Sequence, residues 1–242
     1  GQKNLLITTQ GNWGDTRTGD KAAAPRYIEA KLSDFALEIA FNKNTTTYQN
    51  SYDGRNKEPI NLPIKFPLVL AQGVEGIAVG LSTKILPHNF NELIKSSISI
   101  IKEKPFKLFP DFDAGGMIDV KQYNDGKKGG RVRVRSQIEI LDKYTLKISS
   151  IPYLVTTTSL IDSVVKANNL GKIKIKSIED NTAQDIEIII NLVKGVSPNV
   201  TIDALYAFTN CEVSISPNCC IVVKNKPKFI SVSNLLKIST DS

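Results

Sequence analysis

The residues with most capacity for chemistry lie between positions 10 and 27, in the run QGNWGDTRTGDKAAAPRY. Its glycines permit close backbone approach, Arg17, Lys21 and Arg26 supply cations, and Ala22, Ala23 and Ala24 leave no bulk beside the Arg26–Tyr27 pair. Such an arrangement suits a phosphate group. Taken alone it decides little, because six other tyrosines exist and a tyrosine at a helix start is commonly a packing residue.

Other chemistries find less support. Nothing matches GxxxxGK[ST], and the Gly115-Gly116 and Gly129-Gly130 pairs lack the strand–loop–helix setting of a nucleotide cradle. The chain has no GxSxG elbow, and its one histidine, His88, reads as a loop or cap residue in Leu86-Pro87-His88-Asn89 rather than as part of a triad. Asp111-Phe112-Asp113 has the form of a magnesium-binding pair. It follows Pro110 and precedes Gly115-Gly116, however, which is turn chemistry and favours a solvated loop. No metal site is expected on the chain.

With 242 residues, 41% hydrophobic and 23% charged, the chain is ample for one or two units with a buried core. Its 31 Lys+Arg against 24 Asp+Glu leave a net charge of +7, which favours polyanionic partners without proving them. Cys211, Cys219 and Cys220 form no CxxC pair and no even set, so a disulfide scaffold or structural zinc is not expected and a reducing cytosol fits. No apolar run approaches the roughly 20 residues that span a bilayer. The start Gly1-Gln2-Lys3 is no signal peptide, and both ends read as cut from a longer protein.

The elements that must position these residues form an α+β body. Leu5–Thr9 reads as a strand leading into a turn-rich loop, residues 10–20. A helix is expected next, since Ile28, Leu32, Phe35 and Ile39 recur at helical spacing and Pro25 suits a first helical position. Composition turns polar between Asn42 and Leu62, which places a boundary near residue 45. Asn89 to Glu92 resembles a capping box, opening a helix with Leu93, Ile94, Ser97, Ile98 and Ile101 inward and ending by Pro105. Arg131–Ile140 alternates as one strand with a hairpin partner over Tyr144–Ile151. Helices are expected at Leu160–Val165 and Ile202–Phe208, and a strand at Ile186–Leu192.

One resemblance brings these parts together. The 10–27 run is similar to the active-site tyrosine segment of the A subunits of bacterial type IIA topoisomerases, DNA gyrase and topoisomerase IV, where QGN-[FW]-G leads to AAA-x-RYTE. Pro25 and Ile28 are departures outside the Arg-Tyr pair. The segments at Asn50–Gly54, Leu62–Pro67, Gly76–Thr83 and Pro87–Asn89 resemble the family's NYDG, [ML]P-x-K-[IF]P, GIAVGM-[AS]T and PPHN, in the same order. Ile151-Pro152-Tyr153 resembles its E-IPY. The loop Asp15–Asp20 is more similar to topoisomerase IV-type subunits than to gyrase.

The resemblance implies residues 1–45 as the C-terminal part of a winged-helix domain carrying the tyrosine, and residues 46–242 as a mixed α/β tower domain. It implies Tyr27 as a nucleophile that forms a 5′-phosphotyrosyl link to DNA, with Arg26 stabilising the phosphoryl charge. A phenol of pKa about 10 leaves readily, so a free 3′-hydroxyl can reverse the step. Ile85 takes the position of an isoleucine that wedges between base pairs and bends the duplex, the competing reading being a core isoleucine continuing the Ile77-Val79-Leu81 pattern. Arg131, Arg133 and Arg135 share one strand face and are expected to contact phosphates, unless that face is merely solvated. Gln10, Asn12 and Lys65 are further DNA-contact candidates. Mg2+ and ATP are expected on a partner B subunit, with its ATPase and magnesium-binding domain, in an A2B2 complex built on an A-subunit homodimer. The setting implied is the bacterial cytoplasm, at the nucleoid. A gyrase A subunit and a catalytically silent DNA-bending module stand as alternatives.

Overall fold

The computed structural model describes residues 6–241. Leu5, at the head of the first expected strand, and Gly1, Gln2 and Lys3 lie outside the described residues. Strand β1 (Ile7–Gln10) pairs antiparallel with β2 (Glu29–Leu32), Ile7 opposite Leu32 and Gln10 opposite Glu29. The single helix expected from Pro25 does not form. Pro25–Tyr27 is one 3-10 turn, Glu29–Leu32 is extended, and helix α1 (Asp34–Ala40) begins only after Ser33. Two effects override the helical spacing. The backbone of residues 29–32 finds its hydrogen bonds on β1, and the Ser33 hydroxyl accepts the Ala36 N–H, a cap that the N-cap Ala24 before Pro25 cannot supply.

The polar stretch after α1 folds into a hairpin, β3 (Tyr48–Asn50) and β4 (Lys57–Pro59). Short helix α2 (Leu68–Gln72) leads into a second hairpin, β5 (Val74–Ala78) and β6 (Leu81–Ile85), and then into α3 (Phe90–Ile101). Asn89 caps α3 as expected, its side-chain oxygen accepting from the Asn91 and Glu92 N–H groups.

Strands β7 (Met117–Asp119), β8 (Val132–Arg135), β9 (Ile138–Asp142) and β10 (Thr145–Ile148) follow, then α4 (Thr157–Asn169), β11 (Ile175–Asp180), β12 (Ile188–Leu192) and α5 (Pro198–Phe208). The chain continues through β13 (Glu212–Ile215), β14 (Cys220–Val223), β15 (Lys226–Phe229) and α6 (Val232–Asp241). The expected strand Arg131–Ile140 is in fact two. Its first half is the centre of a three-stranded sheet, β13-β8-β7, and its second half is the edge of a four-stranded sheet, β11-β12-β10-β9. The crossover at Ser136–Gln137 is fixed by the bonds Ser136 N–H to Cys211 O (2.8 Å) and Ser149 N–H to Gln137 O (3.0 Å).

Each sheet faces its own core. The first gathers Leu70, Ile85, Leu93, Val132, Val134 and Leu236, drawn from α2, β6, α3, β8 and α6, with Leu86 just after β6. The second gathers Leu146, Ile148, Ile188 and Ile190 from the four-stranded sheet beneath Leu160, Val164 and Leu205 of α4 and α5. Helix α3 packs on α2 and α6 through only part of the expected face. Leu93 and Ser96 are buried and Ser97 is half-buried against Thr240 of α6, whereas Ile94, Ile98 and Ile101 are exposed. Neighbouring α6 sets which of the two apolar rows turns inward, a choice that helical period alone leaves open.

Candidate functional site

Tyr27 closes the 3-10 turn, with its N–H donating to Ala24 O at 2.9 Å, and its side chain is 66% exposed. Pro25 stands at the first position of that turn, where its missing N–H costs nothing. The turn contains no buried residue. The Arg26 guanidinium lies over the Tyr27 ring, 4.8 Å from the centroid, so a fixed positive charge sits beside the phenol. Beneath them, Gly11 (φ 89°) allows the Tyr27 carbonyl so close that a β-carbon at position 11 would stand 2.6 Å from it. The β1 end therefore carries the tyrosine turn directly, and Gly11 is required by that approach.

Gln10 and Asn12 are exposed beside this turn, with backbone roles as well as free surface. Gln10 O accepts the Trp13 indole N–H at 3.0 Å. Asn12 accepts twice, through its side-chain oxygen from Gly14 N–H (2.8 Å) and through its carbonyl from Ala23 N–H (2.9 Å). Of the three cations in the run, Arg17 is occupied by Asp15, Nη2 to Oδ2 at 2.7 Å. Lys65 is exposed at the far end of α1, its N–H donating to Ile39 O at 3.1 Å.

Ile85, expected as a wedge, is placed by the structure in the core. Ile85 is 4% exposed, at the base of the β5–β6 hairpin opposite Val74, and belongs to the first core. A side chain so enclosed cannot enter a base stack without unpacking that core. The exposed apolar residues are at the other end of the same hairpin, Ile77 (89%) and Val79 (103%), at and beside a two-residue turn. The alternation Ile77-Val79-Leu81, which reads as core, points to solvent. The hairpin base is braced: Lys84 and Asn218 exchange backbone bonds at 2.8 and 2.9 Å, and Lys84 pairs with Glu75 across the strands at 2.9 Å. In sequence, GIAVG shows only alternating apolar residues, and only exposure separates an apolar hairpin tip from a core strand.

The arginine strand has the expected alternation, Val132 and Val134 buried and Arg131, Arg133 and Arg135 exposed. Two of the three charges are already answered by cross-strand neighbours. Arg133 binds Asp119 at 2.8 Å, and Arg135 binds Glu212 while stacking over Tyr206. The Lys121 N–H and the Arg133 guanidinium, in that order, hold the Asp119 carboxyl below its ordinary range. Arg131 donates only to a neutral group, the Gln122 amide oxygen at 3.0 Å.

His88 is a core residue rather than a loop one. Its ring nitrogens lie 3.2 Å from Leu70 O and from the Tyr123 hydroxyl, and burial pushes its pKa down to about 4. Asp111 accepts from Asn89 Nδ2 at 3.0 Å while Phe112 is buried against Tyr153. Cys211 and Cys219 are buried free thiols, pushed up to about 11 by that burial. Among the described residues no three His, Cys, Asp or Glu side chains converge in a group that could hold a metal ion. No described helix is long and apolar enough to cross a membrane.

Comparison with known proteins bears on the same residues. The family model for the A subunit of DNA gyrase/topoisomerase IV matches residues 1–242. The chain is 44% identical over 235 residues to the A subunit of DNA topoisomerase 4 from Borreliella burgdorferi, covering 97% of this chain and 37% of that protein. It is 36% identical over 258 residues to the DNA gyrase A subunit of Lawsonia intracellularis (99% and 31%), and 35% identical over 257 residues to that of Mycoplasma genitalium (98% and 30%). The chain thus spans about a third of the length of these curated relatives. With a family model covering every residue, the chain belongs to the A-subunit family of DNA gyrase and topoisomerase IV.

Proposed function

We propose that this chain is the DNA-cleaving tyrosine region of a type IIA topoisomerase A subunit, of the topoisomerase IV kind. The observation that carries the reading is Tyr27 itself, two-thirds exposed on a turn with nothing buried, with a guanidinium over its ring. In the proposed step the Tyr27 phenol oxygen attacks a DNA phosphorus and loses its proton. The P–O3′ bond breaks, the 3′-oxygen leaves as a hydroxyl, and a 5′-phosphotyrosyl link remains. Attack by that hydroxyl reverses each change, since a phenol is the better leaving group. Arg26 supplies permanent positive charge to the phosphoryl oxygens as charge develops. Mg2+, held by the partner B subunit, would add Lewis-acid stabilisation at the same phosphate, and ATP is bound on that partner too.

Residues 1–45 are read as the end of a winged-helix domain and 46–242 as the tower. Support comes from the cores, whose buried members all lie between Leu70 and Leu236. Within the tower, Ile77 with Val79 is read as the DNA-bending wedge, a reading supported by exposures of 89% and 103% against 4% for Ile85. Arg131 is kept as a phosphate contact with Gln10, Asn12 and Lys65, whereas Arg133 and Arg135 serve chiefly to pin β7 and β13 to β8. Two A subunits with two B subunits would complete the enzyme, acting on duplex DNA in the bacterial cytoplasm. The higher identity to the Borreliella burgdorferi protein supports topoisomerase IV over gyrase.

The test uses the full-length A subunit with its B partner, Mg2+ and plasmid, quenched with detergent. Covalent protein–DNA adduct is expected from the parent and none from Tyr27→Phe. Adduct at the parent level from Tyr27→Phe would remove the nucleophile assignment. Bending without any adduct from the parent would favour a silent DNA-bending module.

A further inference from the structure

The tyrosine turn buries nothing, so packing within it does not hold the phenol in one place. In-line attack at phosphorus demands close placement, and an error of about 1 Å costs about 100-fold in rate. Something else must fix the turn. The loop that precedes it, residues 14–20, is tied at both ends.

Within the loop, Asp15 N–H donates to Asp20 O (3.1 Å) and Gly19 N–H to Asp15 O (2.8 Å). Arg17 grips Asp15 with three nitrogens: its backbone N–H at 2.8 Å, Nε at 3.1 Å and Nη2 at 2.7 Å. The Arg17 side-chain hydrogen bonds are the main reason that the Asp15 carboxyl is held down to about 2. Towards Tyr27, the loop is closed by the Ala23 N–H bond to Asn12 O, next to the Gly11 approach to the Tyr27 carbonyl.

Its other side meets elements more than a hundred residues away. Arg17 Nη1 donates to Gln184 O at 2.6 Å, between β11 and β12. Thr157 N–H donates to Arg17 O at 2.7 Å and the Thr158 hydroxyl to Thr18 O at 3.0 Å, both in the first turn of α4. Thr157 N–H is one of the helix-start donors that have no partner within the helix, and Thr157 is 1% exposed. The loop therefore completes the cap of α4, and α4 in turn anchors the loop to the second core through Leu160 and Val164.

We propose that Arg17 and Thr158 are positioning residues for the nucleophile: by clasping loop 14–20 to α4 and to Gln184 they hold the Tyr27 turn in its cleaving orientation. The proposal rests on the reading of Tyr27 above. It also removes Arg17 from the phosphate-binding cations, because its guanidinium is spent on Asp15 and Gln184.

The experiment compares Arg17→Ala, Thr158→Val and Thr158→Ser in the full-length A subunit with its B partner. Measured are the single-turnover rate of adduct formation at saturating duplex with Mg2+, the duplex Kd, and thermal unfolding. Arg17→Ala and Thr158→Val are expected to slow adduct formation by about 10–100-fold. Duplex Kd and unfolding temperature should stay near the parent, and Thr158→Ser, which keeps the hydroxyl, should restore the rate. Because both act through one loop, the double variant should lose less than the product of the two single losses. Parent rates in both Arg17→Ala and Thr158→Val would overturn the proposal. So would a rate loss in Arg17→Ala matched by weaker duplex binding, since Arg17 would then be a phosphate contact. Adduct from Tyr27→Phe in the same assay would instead strike the nucleophile reading, and the two failures are read from different variants.

Discussion

Truncating Ile85 and Ile77 separately distinguishes a core residue from a DNA wedge, because the two share a hairpin and differ in exposure, 4% against 89%. Ile85→Ala removes side-chain carbons packed in the cluster with Leu70, Leu86 and Leu93, which costs about 2–5 kcal/mol in cores of this kind. At roughly 2–4 °C per kcal/mol for a body of this size, its unfolding temperature should fall by about 5–15 °C. Ile77→Ala removes the same atoms from solvent, and the stability change should stay within about 0.5 kcal/mol. On DNA the order reverses. A wedge that buries its side chain in an opened base step loses about 2 kcal/mol on truncation to alanine, at about 0.8 kcal/mol per carbon. That is a shift of ~30-fold in the ratio of bent to straight duplex. The assay is energy transfer between dyes on the ends of a short duplex bound to the full-length protein with its B partner, beside thermal unfolding of each variant. If Ile77→Ala bends DNA like the parent, and Ile85→Ala fails to bend it at a temperature where the protein is folded, the exposure argument is refuted.

Acid should weaken the protein through His88. Its folded pKa of about 4 lies below the ordinary 6.5, because burial disfavours the charged ring. Between those values the unfolded chain binds the extra proton, so stability falls as pH drops from about 6.5 to about 4, by on the order of 3 kcal/mol in all, and flattens below. Asp15, held at about 2, contributes stability lost only below its ordinary 3.8 and falls outside that window. Thermal unfolding from pH 7.5 to 4.5 should show the slope, and His88→Gln should abolish it while lowering stability at pH 7; an unchanged slope in His88→Gln would contradict the assignment. At Gly11, a methyl group meets the Tyr27 carbonyl at 2.6 Å in a backbone region that disfavours side chains. Gly11→Ala should cost about 1–3 kcal/mol and reduce adduct formation far more than duplex binding; parent adduct levels would show that the β1 end does not carry the tyrosine turn.

Features set by near neighbours were legible in the sequence. Asn89 begins α3, α5 covers the expected Ile202–Phe208, β10 lies within the expected Tyr144–Ile151, and the Val132–Val134 alternation marks an inward face. Features set by distant partners were not. Arg131–Ile140 alternates without interruption, yet Ser136 hands the chain from one sheet to another because Cys211, 75 positions later, accepts its N–H. Arg133 and Arg135 read as free cations until Asp119 and Glu212 arrive on the flanking strands. Ile94, Ile98 and Ile101 of α3 read as inward with Ser97, yet α6 meets the Ser97 side and leaves the three isoleucines exposed.

The segment from Pro25 to Ile39 shows how such a misreading bears on function. Its apolar spacing fits one long helix, which would have placed Tyr27 in a first turn followed by a buried stripe through Leu32. In the fold, Ser33 caps a later helix and β1 offers an extended partner, and these win because both are satisfied by hydrogen bonds. Leu32 is left 46% exposed and Tyr27 stands outside any α-helix. A helix would have oriented the tyrosine through its own packing. A lone 3-10 turn does not, and its orientation is delegated to Gly11 below it and to Asp15, Arg17 and α4 beside it. That delegation makes residues 140 positions apart in sequence, Thr18 and Thr158, part of one device for placing a phenol.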